Sequence, residues 1–277
     1  IGAYSNDGNG FNSGHVRIYK NISGTWTQVG SDIDGEAADD NSGWSVSLSS
    51  DGSTVAIGAR NNNGNGSNSG HVRIYKNISG SWTQVGSDID GEAANDNSGH
   101  SISLSSDGST VAIGAHHNDG NGSNSGHLRI YKNTSGTWTQ VGSDIDGEAA
   151  NDESGYSVSL SSDGSTVAIG AIFNDGIGTD AGHLRIYKNI SGTWTQVGLD
   201  IDGEAANDNS GWSVSLSSDG STVAIGARYN DGNGTDAGHV RVYNIGSAIT
   251  SSTDTITSCG AYTWTNGVTY TTSNITA

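Results

Sequence analysis

The stretch SGWSVSLSSDGSTVAIGA, Ser42–Ala59, decides the fold. Val46 and Leu48 alternate with Ser45, Ser47 and Ser49, the period-2 pattern of a strand with one apolar face. Asp51-Gly52 is a hairpin dipeptide that tolerates positive φ at both central positions, so TVAIGA (Thr54–Ala59) is expected to return antiparallel. In the next copy the same pairing sets Ser105 facing Thr110 and His100 opposite Ala115. After a Gly/Asn loop, HVRIYK (His71–Lys76) reads as a third strand, Asn77-Ile78-Ser79-Gly80 as a turn, and SWTQVG (Ser81–Gly86) as a fourth. A long polar loop, SDIDGEAANDNSG (Ser87–Gly99), leads to the next unit. No stretch shows helical periodicity.

The unit recurs without insertion. IGA begins at Ile1, Ile57, Ile113, Ile169 and Ile225, a period of 56, and residues 57–112 and 113–168 differ at only nine positions. Four-stranded units of this length joined by one long connection predict the blades of an all-β β-propeller. Ser45, Ser47, Ser101 and Ser103 are slim enough for first strands to crowd around an axis. A β-solenoid is the alternative, with usually shorter repeats. The expected organisation is a propeller of four-stranded antiparallel blades over residues 1–243, then a Thr/Ser-rich β module or linker over 244–277. The first blade lacks its first strand and the last its fourth, so the five repeats read as part of a larger array.

Composition alone points the other way. Leu, Ile, Val and Phe number 48 of 277 residues, Gly 43, and the net charge is −18, values typical of disorder. The period resolves this, because sparse apolar residues placed on schedule are shared between neighbouring blades. With 29 acidic and 11 basic residues, the chain would repel nucleic acid and anionic membrane surfaces. No apolar run approaches the roughly 18 residues of a membrane span. One cysteine, Cys259, makes neither an internal disulfide framework nor a thiolate zinc site.

Three sets of residues are chemical candidates. His15, His71, His127, His183 and His239 open every third strand. A catalytic histidine is needed once, so five copies indicate a structural hydrogen bond rather than an enzyme site. The acidic loop places Asp32, Asp34 and Glu36, then Asp88, Asp90 and Glu92, Asp144, Asp146 and Glu148, and Asp200, Asp202 and Glu204, around a Gly-containing turn. Alternating carboxylates suit Ca²⁺, while a solvated loop capping its own backbone is the plainer reading. The third set lies where near-identical repeats disagree. Trp44 with Arg60, His100 with His116 and His117, Tyr156 with Ile172 and Phe173, and Trp212 with Arg228 and Tyr229 change together, as residues in contact would. These positions lie on one rim, where they could bind sugar or protein, or close the blade tops. His100, His116 and His117 could also capture a transition metal.

The motif Ser42–Ala59, repeated at Ser98–Ala115, Ser154–Ala171 and Ser210–Ala227, resembles the FG-GAP repeat of the integrin alpha-chain propeller. Gly43-Trp44 stands for the family's Phe-Gly, and Ile57-Gly58-Ala59 for its Gly-Ala-Pro. The Pro is missing throughout, and the family's calcium loop, D-x-D-x-D-G in form, is cut to Ser-Ser-Asp-Gly-Ser. The resemblance implies that the rim is a ligand face. The segment STDTITSCGAYTWTNGVTYTTS, Ser252–Ser273, resembles Cys-containing β modules of very large secreted Bacteroidetes surface proteins, which usually leave by type IX secretion. Together these imply a non-catalytic extracellular module in adhesion or in a surface appendage. Its partner would be a cell-surface glycan, a protein or copies of itself. A lectin-like propeller with several equivalent rim sites is the second expectation, and a propeller hydrolase the third.

Overall fold

The computed structural model describes residues 1–246, 262–263 and 269–270. Two compact units are formed by Ile1–Ile245 and Gly246–Ala277. In the second, Tyr262–Thr263 pairs antiparallel with Thr269–Tyr270. Cys259 and most of the Thr-rich segment lie outside the described residues. No helix among the described residues is long and apolar enough to cross a membrane.

The first unit is all-β. Its second sheet runs Ile89–Asp90, His71–Ile78, Thr54–Ala59, Ser45–Leu48, with Ser81–Gln84 also on the third strand. The third and fourth sheets repeat this arrangement 56 residues apart, while the first and fifth are incomplete versions of it. The third strand is longer than HVRIYK and serves two partners. Tyr75–Ile78 pairs with Ser81–Gln84, and His71–Val72 pairs with Ile89–Asp90. Part of the expected acidic loop is therefore an edge strand, held because Ile89 is buried.

The hairpin register is as the alternation predicts over its regular part, Leu104 opposite Val111 and Ser101 opposite Gly114. Two details differ. Of Asp51 and Gly52 only Gly52 has positive φ (73°). The loop closes through Gly52 N–H donating to Ser49 O at 2.9 Å, with the Asp51 carboxylate accepting from Ser53 N–H at 2.9 Å. Both positive φ angles fall instead at Ser79 (53°) and Gly80 (91°), which alone turn the third strand into the fourth. Secondly, His100 does not sit opposite Ala115. Gly99 (φ 83°) donates to Gly114 O at 3.1 Å and His100 N–H turns back to Asn97 O at 3.0 Å. In the fourth and fifth sheets the same place is a bulge, between Ser154 and Ser157 and between Ser210 and Ser213. A bulge re-aims its extra side chain. Here it delivers position 44, 100, 156 or 212 to the rim.

The core lies between successive sheets. Ala56, Val72, Ile74 and Ile89 of the second sheet pack on Leu104, Val111 and Ile113 of the third, and the next two interfaces use equivalent residues. Each apolar residue is thus shared by two repeats, so 56 residues need few of them. An apolar groove of about 500 Å³ lies beside the incomplete first sheet, lined by Ile1, Val16, Ile18, Trp26, Val46 and Leu48 among others.

Hydrogen bonds knit equivalent positions directly. Ser50 N–H donates to Ser106 O, Ser106 N–H to Ser162 O and Ser162 N–H to Ser218 O, each at 2.9 Å. Ser47 Oγ accepts from Leu104 N–H at 2.9 Å, and Ser45 Oγ donates to Gly99 O at 2.7 Å. Such proximity requires Gly58 and Gly114. A Cβ on Gly114 would collide with Ser101 Oγ and with the carbonyl of Gly155, and the latter is backbone that cannot rotate away. Gly114→Ala is therefore expected to destabilise the protein by about 3 kcal/mol or more, in the range of severe overpacking. Gly136→Ala, in a turn (φ 89°) with open space around it, should cost only about 1 kcal/mol. Thermal unfolding of the two variants checks the contrast, and equal losses would contradict it.

Candidate functional site

The repeated histidines and the acidic loop meet at the seams between sheets. His71 is buried and its Nδ1 lies 3.8 Å from both Asp88 of its own repeat and Glu36 of the preceding one. Arg73, two residues along the same strand, donates from Nη2 to Asp34 O at 2.8 Å and places Nη1 3.5 Å from Glu36. His127 with Glu92 and Asp144, and His183 with Glu148 and Asp200, repeat the cluster. Arg129 and Arg185 reach back to Asp90 O and Asp146 O at 2.7 and 2.6 Å, and Arg241 donates likewise to Asp202 O. A second seam bond runs farther out, where Trp82 Nε1 donates to Val29 O at 2.7 Å and Trp138 Nε1 to Val85 O at 2.8 Å.

The three carboxylates of one acidic loop do not converge. Asp88 accepts from Gln84 at 2.6 Å and faces its own histidine, while Glu92 crosses to His127 and Arg129 of the next repeat. Among the described residues, two carboxylates of one loop share a three-donor cluster only in the first repeat, where Asp32 and Asp34 are joined by His15. Asp32 is also held by Arg17 at 2.8 Å, which with Gln28 lowers its pKa to about 2. Ca²⁺ takes six to eight oxygen ligands. Clusters that contain an imidazole and, between repeats, a guanidinium beside the glutamate do not supply that set. Burial raises the pKa values of Glu36, Glu92 and Glu148.

The rim residues form a ridge. Tyr4, Trp44, His100, Tyr156 and Trp212 follow one another with ring centroids 4.8, 5.8, 4.8 and 5.0 Å apart. The Arg60 guanidinium lies 3.3 Å from the Trp44 ring centroid, and that of Arg228 lies 4.2 Å from Trp212 and 4.8 Å from Tyr229. Three of the four co-varying sets, Trp44 with Arg60, His100 with His116, and Trp212 with Arg228 and Tyr229, are thus in contact. Tyr4, the first-repeat counterpart of Arg60, belongs to the ridge and was missed, although its place directly after IGA marks it. Ile172 is buried beneath, and Phe173 makes none of these ring contacts. His116 stacks on His100 and on His117, each pair 3.9 Å between centroids. Burial lowers the pKa of His100 to about 4 and holds that of His116 well below the ordinary imidazole value.

Successive rings of the ridge are tilted to one another by 42–57°, and guanidinium groups cover Trp44 and Trp212. Asn side chains at the entry to each next sheet reach back across the loop, Asn41 donating to Tyr4 O, Asn97 to Arg60 O and Asn209 to Ile172 O at 3.0–3.2 Å.

The seam histidines set an acid limit. Burial first, then the neighbouring arginine, lowers the pKa values of His71 and His127 from 6.5 to about 4. The unfolded chain therefore binds more protons than the folded one as pH falls below 6.5, and stability drops down to about pH 4. The raised glutamates act in the opposite direction, but they are largely solvent-screened and their effect is smaller. The melting temperature should be flat above pH 7 and fall steeply between about 6.5 and 4, with the slope reduced in His71→Gln. A pH-independent melting temperature across this window would contradict the assignment.

Comparison with known proteins accords with this geometry. The FG-GAP repeat family matches residues 31–75, 87–131 and 199–243. No curated protein sequence matches the chain. Among solved structures, the periplasmic gluconolactonase of Pseudomonas aeruginosa is similar with a TM-score of 0.51 at 13% identity, covering 91% of this chain and 69% of that one. Hydrazine synthase of Kuenenia stuttgartiensis gives a TM-score of 0.47 at 14% identity, covering 73% of this chain, which spans 46% of that one. At such identities the likeness concerns the fold alone. The chain carries three matched FG-GAP repeats in an all-β, propeller-like arrangement of four-stranded antiparallel sheets spaced by 56 residues.

Proposed function

We propose that the chain is a non-catalytic structural module of an extracellular surface protein, in which successive sheets form a cohesive stack serving adhesion or an appendage. The observation that carries this reading is the use of side chains at the seams. The repeated Arg and Trp side chains bond to the preceding repeat, each Glu pairs with the arginine of the next, and the serine ladder from Ser50 to Ser218 links neighbours through backbone. Stability in such arrays is a sum of repeat and nearest-neighbour terms, so similar units add cohesion rather than a single reactive centre. A strongly acidic, Ser- and Asn-rich surface suits exposure outside a cell, with the net charge of −18 opposing non-specific association. Against the lectin alternative stands the ridge, whose Trp44 and Trp212 rings are each covered by an arginine.

Pulling the chain by its ends with a force probe tests the proposal. Unfolding should proceed in steps of about 190 Å, one repeat of 56 residues at roughly 3.4 Å each. On a glycan array the protein should show no binding that depends on the ridge. Glycan binding abolished by Trp44→Ala with Trp212→Ala, in a variant that still melts cooperatively, would overturn the reading in favour of a lectin.

A further inference from the structure

One point on the ridge breaks the repeat in four places at once. His100 stands where sister repeats carry Trp44, Tyr156 and Trp212, and His116 where they carry Tyr4, Arg60, Ile172 and Arg228. His117 replaces Ser5, Asn61, Phe173 or Tyr229, and Glu153 replaces Asn41, Asn97 and Asn209. The four substitutions come from two different repeats, yet the fold gathers them. Donor atoms of His116, His117 and Glu153 all lie within 4.8 Å of one another, and His117 Nε2 is 3.5 Å from Glu153 Oε1. His100 stacks on His116 from the other side.

Glu153 is a poor choice for the fold alone. It adopts φ 53°, a left-handed conformation that suits the asparagine found at the sister positions (φ 50–56°). A carboxylate also cannot donate the hydrogen bond that Asn41, Asn97 and Asn209 give to the carbonyl 37 residues earlier. His116 is only 4% exposed, and Nδ1 of both His100 and His116 is buried without a protein hydrogen-bond partner. Fold stability does not explain the glutamate, set beside a buried imidazole without a protein partner at His116. A ligand shared by His116, His117 and Glu153 does.

We propose that His116, His117 and Glu153 form a single divalent transition-metal site, of the Zn²⁺ class, that ties the third sheet to the start of the fourth. Two imidazole nitrogens and one carboxylate oxygen form a borderline donor set, which takes Zn²⁺, Co²⁺, Ni²⁺ or Cu²⁺ in preference to Ca²⁺ or Mg²⁺. Donors of a tetrahedral ion with bonds of about 2 Å stand about 3.3 Å apart. The His117–Glu153 separation is already close to that, and neither side chain is fully buried, so rotamer adjustment closes the rest. Three protein ligands leave a fourth position open. His100 is a positioning residue whose ring backs His116. The seam clusters differ in having a guanidinium beside the glutamate, as with Arg73 and Glu36, which competes with a cation for the carboxylate.

Calorimetric titration of the chelator-treated 277-residue chain with Zn²⁺ alone tests the site, alongside Co²⁺ absorption and melting with and without Zn²⁺. One tight equivalent is expected, with a higher melting temperature and the intense visible bands of low-symmetry tetrahedral Co²⁺. Glu153→Asn and His117→Asn install residues that sister repeats carry, so both variants should fold. Each should weaken Zn²⁺ binding at least 100-fold and remove the Co²⁺ bands. Ca²⁺ should give no such equivalent. Absence of Zn²⁺ uptake by the wild-type chain, unchanged uptake in the folded double variant, or equal affinity for Ca²⁺ would each overturn the proposal.

Discussion

The distance at which neighbouring sheets meet governs this structure. Where Gly58 faces Gly99 and Gly114 faces Gly155, backbone approaches backbone with no side chain between. That contact brings Ser45, Ser47 and the turn serines within bonding range of the next repeat. The high glycine content is thus a packing requirement at the seams as well as a turn requirement. It also explains why so few large aliphatics suffice. Sheets this close exclude water with Val, Ile, Leu and Ala on both faces of one thin layer, and each residue serves two neighbours.

Charge is the second constraint. A chain with 29 acidic and 11 basic residues would be expected to keep its cations exposed, yet Arg73, Arg129 and Arg185 are buried at the seams. Each is matched by the carboxylate of a glutamate and by a backbone carbonyl from the preceding repeat. A buried ion pair need not add net stability, but removing one partner leaves an uncompensated charge. The arginines therefore fix which acidic loop lies against which strand. The asparagines of the Asn-x-Ser/Thr turns have a comparably local role, Asn77 Oδ1 accepting from Gly80 N–H at 3.0 Å.

Much of the fold was legible because it is written in periods. The alternation in SVSLSS and TVAIGA gave the hairpin register, and the spacing of 56 gave the sheet count. What escaped were features that depend on a neighbouring repeat. The short strand Ile89–Asp90 has only one buried apolar residue and looks like loop in isolation. The bulge at Gly155-Tyr156 needs a positive φ that period-2 counting cannot register. The division of each acidic loop between two histidines is invisible without the stack. For the ridge, comparing repeats identified the contacts between Trp44 and Arg60 and between His100 and His116. Glu153 carries no such signal, because an acid in place of a loop asparagine is an ordinary surface change until the fold sets it beside His117.

The near-identity of the repeats also shapes the search for the native state. A strand displaced by one whole period would find the same backbone partners, the same serines and the same seam arginine. Between residues 57–112 and 113–168 only nine side chains distinguish the correct neighbour from the wrong one. Four of those nine differences, at positions 60, 61, 97 and 100 and their counterparts, cluster at the ridge. Matched Trp–Arg and His–His contacts there reward one alignment over its translated copies. The ridge thus acts as a register mark in a chain whose remaining sequence is almost degenerate, where misassembly between copies is the characteristic hazard.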